Sequence, residues 1–258
     1  MNNVWIFGDS YAEAWHQLPL KNKQWQHIVA DTLKYNLHVT GLGGTGLEYT
    51  YAKFDEVRHN IKKNDIVIIC LTDIHRKWFF EKNPDWGNIS IMRSEKLTSD
   101  QYKAIKTYYT YLSGNDEFLA LLHLKNFLCA LHYITEKLEL KTIVTPNFTD
   151  TQHFLNTNKE LFPLFRIPNR TMYDVSMLGE LTNDFFNHWH KNNHDPRPGH
   201  ITRSNHIIMA DKLLRNIQHN ELLDFSTEFI ENNVGFDKEH NKEWCDYELF
   251  GQDWKWEL

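Results

Sequence analysis

Val4-Trp5-Ile6-Phe7-Gly8-Asp9-Ser10 is the stretch on which the fold turns. Four apolar residues suited to a buried strand break at once on a glycine, and a serine follows two positions on. Glycine lacks the Cβ that forbids positive φ, so the chain can bend sharply at that point. The serine is then presented at the carboxyl end of a strand, where open α/β sheets bind their ligands. Taken alone, Gly8-Asp9-Ser10 is better read as a strand-to-helix connection in which Asp9 or Ser10 caps the helix. The rest of the chain decides between the two.

Working outward, strand and helix patterns alternate. Residues 3–7 predict the first strand. Residues 24–35 place Trp25, Ile28, Val29 and Leu33 at helical spacing. Leu37-His38-Val39-Thr40 predicts a second strand, ending in Gly41-Leu42-Gly43-Gly44-Thr45-Gly46, and residues 47–62 a helix. Ile66-Val67-Ile68-Ile69-Cys70-Leu71 is an unbroken apolar run, as expected of a central parallel strand covered on both faces. Residues 75–112 are rich in aromatics but have no clean period, and read as an insertion. Residues 115–138 predict a long amphipathic helix whose apolar face carries Phe118, Leu119, Leu122, Leu124, Phe127, Leu128, Leu131 and Ile134. Lys141–Thr145 predicts a fourth strand, stopped by Pro146, and residues 150–192 are mixed and mostly helical. Thr202–Ile217 predicts a last helix with Ile207, Ile208, Ala210, Leu213, Leu214 and Ile217 turned inward. This alternation implies a three-layer α/β/α sandwich around a parallel sheet, of flavodoxin-like type. Residues 1–223 form that domain. Residues 224–258, where acidic and aromatic residues alternate, form an extension that packs its rings back onto it.

Bulk composition narrows the function classes. The chain has 258 residues, 41% hydrophobic and 24% charged, which is ordinary for a globular domain. A net charge of −6, with no long Lys/Arg run, argues against a nucleic-acid partner. Three widely spaced cysteines support neither a disulfide framework nor a cysteine-rich zinc site, and fit a reducing compartment. Gly8-Asp9-Ser10 interrupts the only early apolar run, so no leader peptide is expected, and no stretch reads as a bilayer span. The expectation is a cytoplasmic protein, or a virion-associated one made in the cytosol, with no membrane partner.

Gly8-Asp9-Ser10 after the first strand and Gly41-x-Gly43-x-x-Gly46 after the second together resemble the first two blocks of the SGNH, or GDSL-type, hydrolases. The third block of that family reads Gly-x-Asn-Asp at the end of the central strand; here the stretch is Cys70-Leu71-Thr72-Asp73. The last block carries an Asp and a His before the final helix; here it falls in His194-Asp195-Pro196-Arg197-Pro198-Gly199-His200. The blocks follow the family's order and span most of the chain, with the third and last divergent. The resemblance implies ester hydrolysis without cofactor or metal, on a small-molecule or glycan ester, with O-deacetylation of a glycan as one specific form. Ser10 is then the nucleophile, His200 its base, and Asp195 the acid that orients His200. The oxyanion hole is formed by the backbone N–H groups of Ser10 and Gly43 with help from Thr72, which stands where the family has asparagine.

Chemistry supports those roles and leaves alternatives open. A serine hydroxyl needs an adjacent base to attack a carbonyl at neutral pH. Asp9 is expected to brace the turn, and Asp73 and Arg76 to make local contacts. A threonine hydroxyl donates one hydrogen bond and reaches less far than an amide, so Asn147, after the fourth strand, is an alternative donor. In the family the acid lies three residues before the histidine, a position held here by Arg197; Asp195 lies five before. His194 is the reserve base, and His206 is expected in the core. His188, His190 and His194 have metal-like spacing, but few carboxylates and no cysteine accompany them. Gly41-x-Gly43-x-x-Gly46 also has the spacing of a dinucleotide fingerprint, with Asp65 about twenty residues on. That glycine run follows the second strand, however, and Asp65 precedes a strand rather than ending one. The competing class is an inactive, carbohydrate-binding or structural protein on the same scaffold.

Overall fold

The computed structural model describes residues 2–14, 24–43, 45–76, 99–100, 103–104, 106–107, 113–176, 201 and 203–230. Among the described residues, four parallel strands form a sheet: β1 (Asn3–Phe7), β2 (Asn36–Val39), β3 (Ile66–Leu71) and β4 (Lys141–Pro146), in the order β2-β1-β3-β4. Val4 to Phe7 pair with Ile66 to Ile69, and the pairing of β3 with β4 runs from Ile66–Lys141 to Leu71–Pro146. β4 ends at Pro146, as expected, one residue beyond the predicted Thr145. Pro146 occupies its last position, where a missing N–H is tolerated. Beyond β4, Arg166 makes one further parallel bridge to Ile143.

Side chains alternate between two apolar layers, as the pleat requires. Val4, Ile6, Ile66, Ile68, Cys70 and Ile143 face α1 (Trp25–Leu33) and α6 (Arg203–His219), with α5 (Met172–Ser176) beside them. Trp5, Phe7, Val67, Ile69, Leu71 and Val144 face α2 (Leu47–Val57), α3 (Ser113–Leu138) and α4 (Thr149–Thr157). The architecture is therefore the expected α/β/α sandwich with a parallel central sheet.

Three details differ from the sequence reading. The helix after the glycine run ends at Val57 and continues as one 3-10 turn, Arg58–Asn60. On α3 the packed face is narrower than expected: Leu124, Leu128 and Leu131 are buried, whereas Phe118 is 72% exposed and Leu119 and Leu122 are also exposed. On α6 Ile207, expected to point inward, is exposed, while Met209, Ala210, Leu213 and Ile217 are buried. By length and composition alone Glu117–Leu138 passes for a membrane span, against the sequence expectation. Its buried leucines lie in the second core layer, the placement of a core helix.

Of the extension, residues 224–230 are described. Phe225 is buried and Phe229 packs against it edge-on. The Asp224 carboxylate accepts bonds from Ser226, Thr227 and Asn169, and the Ser226 and Asn169 bonds hold it well below the usual carboxylate range. Residues 231–258 and most of the 75–112 insertion, including Trp78 and Trp86, lie outside the described residues.

The amino edge of the sheet is organised by Asp65. Its buried carboxylate accepts the backbone and side-chain N–H groups of Asn3, the indole N–H of Trp5 and the backbone N–H of Lys62, all within 3.2 Å. Burial alone would raise its pKa; the donors outweigh that and hold it below the ordinary value. The stabilisation is therefore complete above the ordinary carboxylate range and is lost as the pH falls through the lowered value. Asp65→Asn turns one acceptor into a donor facing other donors, and an unmet buried group costs about 1–3 kcal/mol. Urea denaturation at neutral pH should show a loss of about that size, and the gap to wild type should narrow below about pH 4. A gap independent of pH would show that the ionised carboxylate is not what holds this edge.

Candidate active site at the carboxyl edge of the sheet

The strand order places a topological switch between β1 and β3, because β1 is followed outward by β2 on one side and by β3 on the other. Crevices outside the carboxyl ends of strands at such points are where open α/β sheets bind ligands. Ser10 follows β1, Gly43 follows β2, Thr72 follows β3 and Asn147 follows β4.

Gly8 makes the turn that presents Ser10. Its φ is +149°, and an added Cβ would lie 2.5 Å from the carbonyl oxygen of Cys70 and 2.7 Å from Cys70 Cβ. Cys70 beneath it is fully buried, and burial pushes its thiol up to about 12. After the turn, the backbone N–H groups of Ala12 and Glu13 both donate to the carbonyl of Asp9. The side chains of Trp25 and Gln26, at the start of α1, donate to the carbonyls of Tyr11, Ala12 and Glu13. Ser10 thus stands on a turn held from below by β3 and from behind by α1.

The glycine run is tied to the same turn. Leu42 N–H donates to the carbonyl of Gly8 at 3.1 Å, and the Thr45 hydroxyl donates to the carbonyl of Leu42 at 2.8 Å, with the Gly8 carbonyl 3.4 Å away. This draws Gly43 against the serine: a Cβ built on Gly43 would lie 3.7 Å from Ser10 Cβ. The Gly43 N–H points at a carboxylate, donating to Glu13 Oε2 at 3.0 Å. Sequence reading did not single out Glu13. Its signal was the spacing: three residues after Ser10 in a helical turn is the same side of the chain.

Asp9 ties the strand ends together. It is fully buried, and its Oδ1 accepts the Tyr11 backbone N–H at 3.1 Å and the Asn147 side-chain N–H at 2.7 Å. Its Oδ2 accepts from Arg76 Nη1 at 3.2 Å, and the same Nη1 donates to Thr72 Oγ1 at 3.1 Å. Asp9 therefore braces the turn, as expected. Arg76 does more than make local contacts: it bridges to a residue 67 positions away and lies over the Phe148 ring at 5.0 Å. Thr72 and Asn147, the two candidates for a third oxyanion donor, are both fully buried and both belong to this network.

His200, Asp195 and the reserve base His194 lie outside the described residues, as do His188 and His190. The chain re-enters at Ile201, which is fully buried in the first core layer. His206, early in α6, is buried as expected and accepts the Trp25 backbone N–H on Nδ1 at 3.3 Å.

The glycine run lies at the carboxyl edge and Asp65 at the amino edge, with the Asp65 oxygens taken by Asn3, Trp5 and Lys62. That arrangement does not serve a dinucleotide ribose. Among the described residues, Asp73, His75 and Asp150 bring one possible metal-ligand atom each within 4.8 Å of one another. Both carboxylates already accept backbone bonds, Asp73 from His75 and Asp150 from Ile74. Burial, with the charge of Asp73 adding to it, raises Asp150 above the ordinary carboxylate value.

The fold and this edge define the class: an α/β protein with a parallel sheet and a serine presented at its switch point. No protein-family model matches the sequence, and no curated protein does. Among solved structures, the chain is similar to that of a proposed lipolytic protein of the G-D-S-L family from Desulfitobacterium hafniense DCB-2. The identity is 13% and the TM-score 0.40, over 82% of this chain and 97% of that one.

Proposed function

We propose that this protein is a serine-dependent ester hydrolase. The observation that carries the reading is the placement of Ser10 on the Gly8 turn with Gly43 drawn against it by the Gly8 carbonyl. In the reaction, the Ser10 hydroxyl adds to the ester carbonyl carbon while His200 accepts its proton, with Asp195 orienting the imidazole. The N–H groups of Ser10 and Gly43, with the Thr72 hydroxyl, stabilise the oxyanion, each such donor being worth about 3 kcal/mol. Collapse of the tetrahedral adduct breaks the ester C–O bond, and His200 returns the proton to the leaving alcohol. Water then adds to the acyl-serine by the same route and releases the acid. A glycan O-acetyl group is one ester that fits this chemistry.

The test is incubation with a serine-directed phosphonate and with 4-nitrophenyl acetate. Labelling at Ser10 that is lost in His200→Ala supports the proposal. Labelling of folded protein at other residues alone overturns it.

One observation favours the second reading, an inactive binding protein on this scaffold: Gly43 N–H already holds the Glu13 carboxylate. For catalysis that carboxylate must give way to the oxyanion. Glu13→Ala is therefore expected to raise the phosphonate labelling rate several-fold, and Glu13→Gln less, since a neutral acceptor binds the N–H about half as strongly. A slower rate in both would mean that Glu13 works within the machinery instead of blocking it.

A further inference from the structure

We infer that Arg76 is an anion subsite beside Ser10, so that the preferred ester carries a carboxylate-type group. This rests on the hydrolase reading for the reaction, but the subsite itself rests on the guanidinium. Both hydrogens of Nη1 are committed, one to Asp9 Oδ2 and one to Thr72 Oγ1. Among the described residues neither Nε nor Nη2 has a partner, and the side chain is 31% exposed. Nε–H and the adjacent Nη2–H form one edge of the guanidinium, the edge that takes a carboxylate through two parallel bonds.

That edge is held in place. The ion pair to a fully buried carboxylate fixes one end of the group, and its Cζ lies over the Phe148 ring, 5.0 Å from the centroid. Gly46 packs against the main chain of the same residue: a Cβ there would lie 2.7 Å from the Arg76 carbonyl oxygen. Arg76 is tied to Asp9, the residue that precedes the nucleophile, and among the described residues its outer edge is left unbonded. The neighbouring Gly43 N–H binds a carboxylate oxygen already, that of Glu13, which shows that the edge of the sheet accepts anionic oxygen.

The experiment compares kcat/KM for matched charged and neutral esters in the full chain. With the charge on the acyl side, 4-nitrophenyl hemisuccinate is set against 4-nitrophenyl butyrate; with it on the alcohol side, O-acetylglycolate against propyl acetate. Wild type should favour the charged member of at least one pair, and the pair that responds tells which side of the ester faces Arg76. Arg76→Gln should lower that preference at least tenfold, with Arg76→Lys between the two. Arg76→Lys keeps a cation against Asp9 but loses the fork, so it decides the matter if Arg76→Gln fails to fold. Removing the competing carboxylate in Glu13→Ala should enlarge the preference. An unchanged ratio in Arg76→Lys and Arg76→Gln, with ester turnover intact, overturns the subsite and leaves the hydrolase standing. If wild type turns over none of these esters, the hydrolase reading fails. Calorimetry of monomethyl succinate on Ser10→Ala protein then decides the subsite. Binding that weakens at least tenfold on adding Arg76→Gln upholds it, and equal or absent binding overturns it.

Discussion

Ser10→Ala is expected to abolish covalent labelling by the phosphonate and to lower ester turnover at least about 10³-fold, since loss of a nucleophile removes the covalent route entirely. The fold should survive, because Ser10 is only partly buried and its turn is held through the Asp9 carbonyl, the Asp9 carboxylate and α1 rather than through the serine alone. An unchanged melting temperature with lost labelling is thus the expected pair of results. Labelling is the more decisive measurement, because an activated ester also reacts with other nucleophilic side chains. Retention of wild-type turnover by Ser10→Ala would place the chemistry elsewhere and remove the role of Gly43 with it.

Gly8→Ala should have the largest effect on stability. A non-glycine residue at φ +149° is strained by about 1–3 kcal/mol. The added methyl also lands against Cys70 O, Cys70 Cβ and Ala12 Cβ, at 2.5, 2.7 and 3.0 Å. Two of these belong to a central strand that cannot yield, and overpacking of this kind costs typically about 1–3 kcal/mol more. Chemical denaturation should therefore show a loss of about 3 kcal/mol or more. The damage also reaches the site, because the Gly8 carbonyl holds Leu42 and so places Gly43. A variant that folds should label more slowly at Ser10. Wild-type stability in Gly8→Ala would mean that the turn can adopt another path.

Much of this architecture was legible in the sequence because short-range pattern and final environment agree. Ile66–Leu71 is apolar at every position, and both its faces are covered. Gly8 interrupts an apolar run, and the chain turns there. The reading was weaker where periodicity alone assigned a face. Phe118, Leu119 and Leu122 share a helix with Leu124, Leu128 and Leu131, yet only the latter meet the sheet, and no local rule says where along a helix the contact begins. Ile207 is the same case on α6. The Asp9 network was illegible for a different reason. Arg76, Asn147 and Asp9 are separated by up to 138 residues, and only the strand order brings them together. Sequence suggested Asn147 as a substitute oxyanion donor; in the structure one of its amide hydrogens is used by Asp9. Glu13 was overlooked because a glutamate just after a tight turn looks like an ordinary solvated residue.

Cys70 carries a practical consequence. Thiol reagents and oxidants act on the thiolate, and a buried sulfur pushed up to about 12 offers almost none at neutral pH. The platform beneath the nucleophile is therefore chemically silent. Of the two described cysteines only Cys129, exposed on α3, is open to alkylation. Treating the protein with a maleimide should decorate that helix and leave the serine turn untouched, which offers a place to attach a reporter without disturbing the chemistry it reports on.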